Sequence, residues 1–268
     1  MAVVQEPVSL LVAGTAVRGM TYRPAEGGGP MGMVLCDPFA EEKKSSQKTL
    51  AEMGRALAEA GIPTLHFDYR GTGDSAGQFE QYNLDDWRED IGAAVDWVRL
   101  RWALGRVGLL GLRLGATLAA TEAGACRACC LVMWQPVLDG ERYARELAQR
   151  SKIKHMLTRG PRPTSAQQEK QGDFLDLDGY SVSPSLMAQM GELRLGVMPP
   201  FPWPALLVEC TPRGEVAAEA QALMAGFPAG EARALPLEPF WQRIGLTDTT
   251  PLIATTLQWL QGHGEAQV

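Results

Sequence analysis

The chain has 268 residues, 46% hydrophobic and 21% charged, an ordinary globular composition long enough for one large buried core. A formal net charge of −6 gives no footing for nucleic acid or an anionic membrane surface. No apolar run reaches the length of a bilayer span. Five cysteines are an odd set. Cys126, Cys129 and Cys130 cluster, but no second Cys or His pair completes a zinc site. The reading is reduced thiols in a cytoplasmic protein, with no metal and no cofactor. The opening segment MAVVQEPVSLLVAG lacks a basic n-region and does not read as a secretory leader.

In chain order, VSLLVAGTAVRGMTY (8–22) alternates about Gly14 and predicts an antiparallel hairpin. MGMVLC (31–36) is a short apolar run stopped by Asp37 and Pro38, a buried strand. SSQKTLAEMGRALAEAG (45–61) has a serine cap, helical periodicity and a terminal glycine. IPTLHFDYRG is the next strand. NLDDWREDIGAAVDWVRLRWA predicts a long amphipathic helix with its acids early, as the helix dipole prefers. CCLVMWQPVL, PALLVEC and ARALPLEPF read as strands, and TPLIATTLQWLQG as a closing helix. Strands alternating with helices make βαβ units and a mostly parallel sheet, an α/β protein. Residues 140–198 break this rhythm with the basic helix ERYARELAQRSKIKHMLTR, the loop-like GPRPTSAQQEKQGD and SVSPSLMAQMGELRLG. They predict a cap inserted into a core made of residues 1–139 and 199–268.

One stretch carries chemistry. In VGLLGLRLGATLAATEAG (107–124) an apolar run meets Gly-x-x-x-Gly and then a helix-like segment. This is the shape of the G-x-S-x-G nucleophile elbow, which lifts a serine from a strand to a helix start. Both glycines are present, Gly111 and Gly115, and Arg113 stands between them.

The element order, the loop DPFAEEKKSS after a strand, DYRGTGDSAG after the next and GLRLGA at the elbow together resemble the α/β-hydrolase fold. More specifically, PFAEEKKSS, GDSAG, GLRLGA, WQPVLDG and GYSVSPSLMAQM resemble the exosortase A system-associated hydrolase 2 family. The resemblance spans most of the chain. It implies a helical cap, a place in a bacterial exopolysaccharide or exosortase system, and an oxyanion hole at the N–H groups of Phe39 and Leu114.

The triad implied by that fold is incomplete. Arg113 stays charged and offers only donors, so it cannot be a nucleophile. The loop LEPFWQRIG, where the histidine belongs, has none; the histidines are His66 inside a strand, His155 in the cap and His263 in the C-terminal tail beyond the last helix. Glu215, after PALLVEC, falls where the acid belongs, with no histidine there to orient. Displaced chemistry is one alternative: Cys36 with His66 on a neighbouring strand, Ser75, or an acid such as Glu41 or Glu42. The other reading makes these two core side chains, a turn residue and a solvated charge run.

A cation at a helix start is unfavourable, and an elbow residue is strained, so Arg113 calls for an anion. That anion is either a protein carboxylate (Asp37, Glu41, Glu42 or Asp139) or a ligand carboxylate or phosphate held by Arg113, Leu114 and Phe39. Trp134, Phe201 and Trp203 are candidate walls, with Trp134 and Asp139 among the candidate ligand-binding residues. Phe240 and Trp241 stand where the histidine loop would be. Three functions follow: an exosortase-system protein without serine-triad hydrolysis that binds a small anionic acyl or sugar ligand or a partner protein, a hydrolase or thioesterase with displaced groups, or a structural partner with a plugged pocket.

Overall fold

The computed structural model describes residues 2–159, 174–196, 201–243 and 247–264. The chain opens with the predicted hairpin, β1 (Val3–Val12) paired antiparallel with β2 (Thr15–Pro24). It turns at Ala13 and Gly14, both with positive φ (46° and 79°), the two-residue geometry that matches strand twist. Then come β3 (Met31–Cys36), α1 (Glu41–Glu59), β4 (Thr64–Phe67), α2 (Leu84–Trp102), β5 (Arg106–Leu112), α3 (Leu114–Glu122) and β6 (Leu131–Trp134). After the inserted segment follow β9 (Ala205–Cys210), α6 (Ala218–Ala225), β10 (Gly230–Leu235) and α7 (Thr250–Gly264).

Eight strands form one sheet in the order β1-β2-β4-β3-β5-β6-β9-β10. From β4 onward every pairing is parallel. Strands covered on both faces read as continuous apolar runs, and here alternate residues divide between two cores. Val34, Cys36, Leu65, Phe67, Leu109, Met133 and Leu207 pack on the side of α2 and α3. Met33, Leu35, Leu110, Leu112, Val132, Trp134 and Val208 pack on the side of α1 and α7.

The inserted segment holds α4 (Gly140–Arg159), a small hairpin of β7 (Leu175–Leu177) and β8 (Tyr180–Val182), and α5 (Pro184–Glu192). It adds no strand to the main sheet. The GPRPTSAQQEKQGD stretch (160–173) lies outside the described residues, as does the side chain of His155.

Two expectations are corrected, and three elements are added. Helix α1 starts at Glu41, not at the serines, because Ala40 turns the chain sharply (φ 50°, ψ −124°) straight into it. Ser46 Oγ then donates to the Glu42 carbonyl at 2.7 Å instead of capping. His263 is in the last turn of α7, stacked on Trp259, rather than in a tail beyond it. Helix α6 and the β7–β8 hairpin carried no periodic signal strong enough to predict them.

Candidate functional site

Strand β5 delivers Arg113 to the carboxyl edge of the sheet in the sharp elbow conformation, φ 54° and ψ −121°, at the N-cap of α3. A non-glycine residue in this region costs about 1–3 kcal/mol. Both glycines are there because backbones touch. A Cβ on Gly115 would sit 2.2 Å from the Asp37 carbonyl oxygen, and one on Gly111 2.4 Å from the carbonyl oxygen of Gly115. The turn is anchored by the Arg113 N–H donating to the Trp134 carbonyl at 2.9 Å, and by Thr117 Oγ1, which accepts from the Val137 N–H at 2.9 Å.

The Arg113 side chain is almost wholly buried. Its guanidinium lies between two rings, 5.1 Å from the centroid of Tyr143 and 5.4 Å from that of Trp241, a cation–π arrangement. Trp241 belongs to the turn of residues 240–242, so the loop that lacks a histidine places an aromatic ring at the elbow instead. Arg113 Nε lies 3.5 Å from Glu42 Oε1. Glu42 is buried in the first turn of α1, where it also takes a hydrogen bond from Arg150 Nη2 at 2.9 Å and one from the Tyr143 hydroxyl at 2.7 Å. Burial, with the Glu42 charge beside it, pushes the Tyr143 phenol well above its ordinary range, so Tyr143 is a fixed donor. Two arginines face one carboxylate, leaving the cluster one positive charge in excess. The guanidinium is under-used: among the described residues Nε has no hydrogen-bond partner, and Nη1 reaches only the Gln135 carbonyl at 3.4 Å.

Of the predicted anions for Arg113, the structure selects Glu42. Asp37 is buried and is held instead by Lys43 Nζ at 2.6 Å and His66 Nε2 at 2.7 Å. Burial alone would raise its carboxyl, but the charges and hydrogen bonds of Lys43 and His66 outweigh it and bring it down to about 2. Lys43 also pairs with Asp68, which ties the loop after β3 to the loop after β4. Glu41 faces outward, 3.6 Å from Lys154. Asp139 is a helix-start residue on the rim. It accepts from the Arg142 N–H at 2.9 Å and pairs with Arg194 at 3.6 Å, although it lines the same cavity as Arg113.

The displaced catalytic groups are not brought together. Cys36 and His66 project to opposite faces of the sheet, since neighbouring strands in register alternate: Leu35, not Cys36, pairs with His66. Burial drives the Cys36 thiol upward, and its neighbour is the Tyr69 hydroxyl. Ser75 Oγ is a turn brace that donates to the Asp68 carbonyl at 2.6 Å and accepts from the Arg18 N–H at 2.8 Å. Glu215 is exposed on the loop after β9.

Nor are all the predicted walls present. Trp134 is buried on the other face of the sheet, its Nε1 donating to Thr256 Oγ1 of α7 at 3.0 Å. Phe201 packs on Phe227, and Trp203 is exposed. Phe39 and Leu114 are buried and do share a cavity of about 190 Å³ with Lys43 and Tyr69. Arg113 borders a separate one of about 230 Å³, with Tyr143, Trp241 and Gln135. That second cavity holds a residue the sequence reading missed. Glu209, at the end of β9, is 7% exposed, and its Oε2 accepts from the Ala217 N–H at 2.6 Å. The available signal was a lone charge inside the apolar run PALLVEC.

Among the described residues no group of three or more His, Cys, Asp or Glu could hold a metal ion. No described helix is long and apolar enough to cross a membrane.

The sheet order, the elbow between β5 and α3 and the two-sided helical packing define an α/β-hydrolase fold. The chain belongs to the X-Pro dipeptidyl-peptidase (S15) family, which matches residues 14–168. Similar solved structures share the whole architecture at low identity. Est1E of Butyrivibrio proteoclasticus, with ferulic acid bound, has a TM-score of 0.69 at 18% identity, covering 96% of this chain and 98% of that one. The Pyrococcus furiosus esterase Pf2001 gives 0.66 at 14%, covering 98% and 92%. XC6422 of Xanthomonas campestris, described as an α/β serine hydrolase without lid, gives 0.61 at 16%, covering 98% and 96%. No curated protein matches the chain.

Proposed function

We propose that this protein is an α/β-hydrolase-fold member without serine-triad hydrolysis, which uses its elbow to hold an anionic group of an acyl- or sugar-containing ligand. The observation that carries this reading is Arg113 itself. A permanently charged group, with no lone pair to attack a carbonyl, occupies the strained position where the fold presents its nucleophile. Trp241 fills the place of the base. A guanidinium binds carboxylate or phosphate best through two parallel N–H bonds, and here, among the described residues, Nη2 has no partner while Nη1 has one long contact. The excess positive charge of the Arg113–Glu42–Arg150 cluster favours an anion at the same place. The motifs PFAEEKKSS, GLRLGA and GYSVSPSLMAQM support a cytoplasmic role in a bacterial exopolysaccharide or exosortase system, with residues 140–198 acting as a cap.

Labelling with a fluorophosphonate probe, followed by peptide mapping, tests the loss of hydrolysis. No serine bordering the elbow should be modified; stoichiometric labelling there overturns the reading. A second reading, in which the site is closed and the protein is a structural partner, is favoured by the Glu42 contact at 3.5 Å. Native mass spectrometry of freshly purified protein separates the two, since only the first retains a small molecule.

A further inference from the structure

The cavity beside Arg113 contains one buried cation short of partners and one buried anion short of a partner. Arg113 supplies the first. Glu209 supplies the second: its carboxylate takes one backbone N–H, and among the described residues no cation lies within ion-pair distance of it. The other charged side chains around this cavity have ion-pair partners of their own, at its more exposed mouth. Arg142 pairs with Glu146 at 3.9 Å and with Glu219 at 3.6 Å, and Asp139 with Arg194 at 3.6 Å. An ionised carboxylate kept out of water without a cation is costly, and so is a guanidinium with unused donors. Both costs fall when a molecule carrying the two opposite charges enters between them.

We propose that this cavity is a binding site for a small zwitterion of the α-amino acid class, with its carboxylate on the Nη groups of Arg113 and its ammonium on Glu209. The proposal rests on the reading of Arg113 as an anion receptor, and goes beyond it by giving this cavity an amino acid in place of an acyl- or sugar-containing ligand. Size supports it. At about 230 Å³ the cavity is smaller than the usual drug-sized pocket and suits a free amino acid rather than a polymer or nucleotide. The walls support it as well. Tyr143 and Trp241 hold the guanidinium plane from two sides, so little side-chain freedom is lost on binding. Gln135 accepts the Cys210 N–H through its Oε1 at 2.7 Å, which leaves its amide N–H groups as further donors to a carboxylate.

The test is isothermal titration calorimetry of the full chain with L-alanine and L-leucine, and with propionate and propylamine as probes bearing one charge each. Intrinsic tryptophan fluorescence serves as a second readout. The amino acids should bind at least about 10-fold more tightly than either single-charge probe. Glu209→Gln keeps the acceptor for the Ala217 N–H and should remove that advantage while leaving propionate binding unchanged. Arg113→Gln should abolish binding of both, and its folding is checked by circular dichroism. Propionate binding as tightly as alanine overturns the zwitterion site in favour of a simple anion site. No response to either amino acid up to about 10 mM overturns it outright. Failure of the underlying reading is seen separately, as labelling of an elbow serine by the fluorophosphonate probe.

Discussion

Arg113 Nε lies 3.5 Å from Glu42 Oε1, across the junction between the elbow and the first turn of α1. The pair is unequal. Glu42 keeps two further partners, Arg150 and Tyr143, both from α4, whereas Arg113 has no other carboxylate among the described residues. Removing a partner from a buried pair costs most when it strands the remaining charge. Glu42→Gln strands two arginines and should cost about 3 kcal/mol. Arg113→Ala leaves Glu42 still paired and relieves a cation at a helix start, so its cost should be about 1 kcal/mol. Urea denaturation of both variants checks the order. A larger loss for Arg113→Ala means that Glu42 depends on the elbow rather than on α4.

Restoring a serine should not restore an enzyme. A serine hydroxyl near neutral pH is a poor nucleophile unless a base takes its proton. His66 is bound to Asp37, His263 is stacked on Trp259, and Trp241 holds the position of the base. Arg113→Ser should therefore hydrolyse p-nitrophenyl acetate no faster than the parent protein. Turnover above the parent and the buffer would identify a base that the geometry does not show.

The two elbow glycines should tolerate no side chain. A methyl on Gly115 meets the carbonyl oxygens of Asp37 and Cys36 at 2.2 and 2.4 Å. Neither can move without displacing the end of β3. Gly115→Ala should cost about 3 kcal/mol or prevent folding. Gly92, inside α2 with nothing within 4 Å of its Cβ direction, is the control: Gly92→Ala should stabilise by about 0.5–1 kcal/mol. Melting temperatures of the pair read both signs. Equal temperatures would mean that the strand–helix approach at the elbow is looser than these distances.

The sheet was legible in the sequence because its strands are buried on both faces and so stand out as uninterrupted apolar runs between glycine and proline stops. The elbow was legible because two glycines four apart have a steric cause. The partner of Arg113 was narrowed to four carboxylates but not to one, since the choice depends on where α1 begins. Ala40 carries no sequence mark of its positive φ, and it starts the helix early enough to turn Glu42 inward and Glu41 outward. Trp134 was misplaced for a related reason. Alternation along β6 decides which face a ring takes, and a four-residue apolar run does not reveal its own parity. Glu209 was missed because a strand-end carboxylate looks the same in sequence whether it is solvated or buried.

The loop joining β3 to α1 depends on a carboxylate that must stay charged. Asp37 is buried, and Lys43 and His66 together hold its carboxyl at about 2, below its ordinary value of 3.8, against the opposing effect of burial. A folded-state value below the unfolded one means that the native state releases this proton more readily. Its contribution is therefore complete above pH 3.8 and is lost as the pH falls through about 2. A shift of this size corresponds to about 2 kcal/mol. Lys43 is raised above its usual value after the Asp37 and Asp68 charges overcome its burial, so its contribution is lost only at alkaline pH and leaves the acid limb to Asp37. Asp37→Asn should lower stability at pH 5 and flatten the fall between about pH 4 and pH 2 relative to the parent. Denaturant melts of both proteins across this range measure the difference. Parallel curves would show that Asp37 has the same proton affinity folded and unfolded, and that the contacts with Lys43 and His66 contribute nothing to holding the loop at the foot of the elbow.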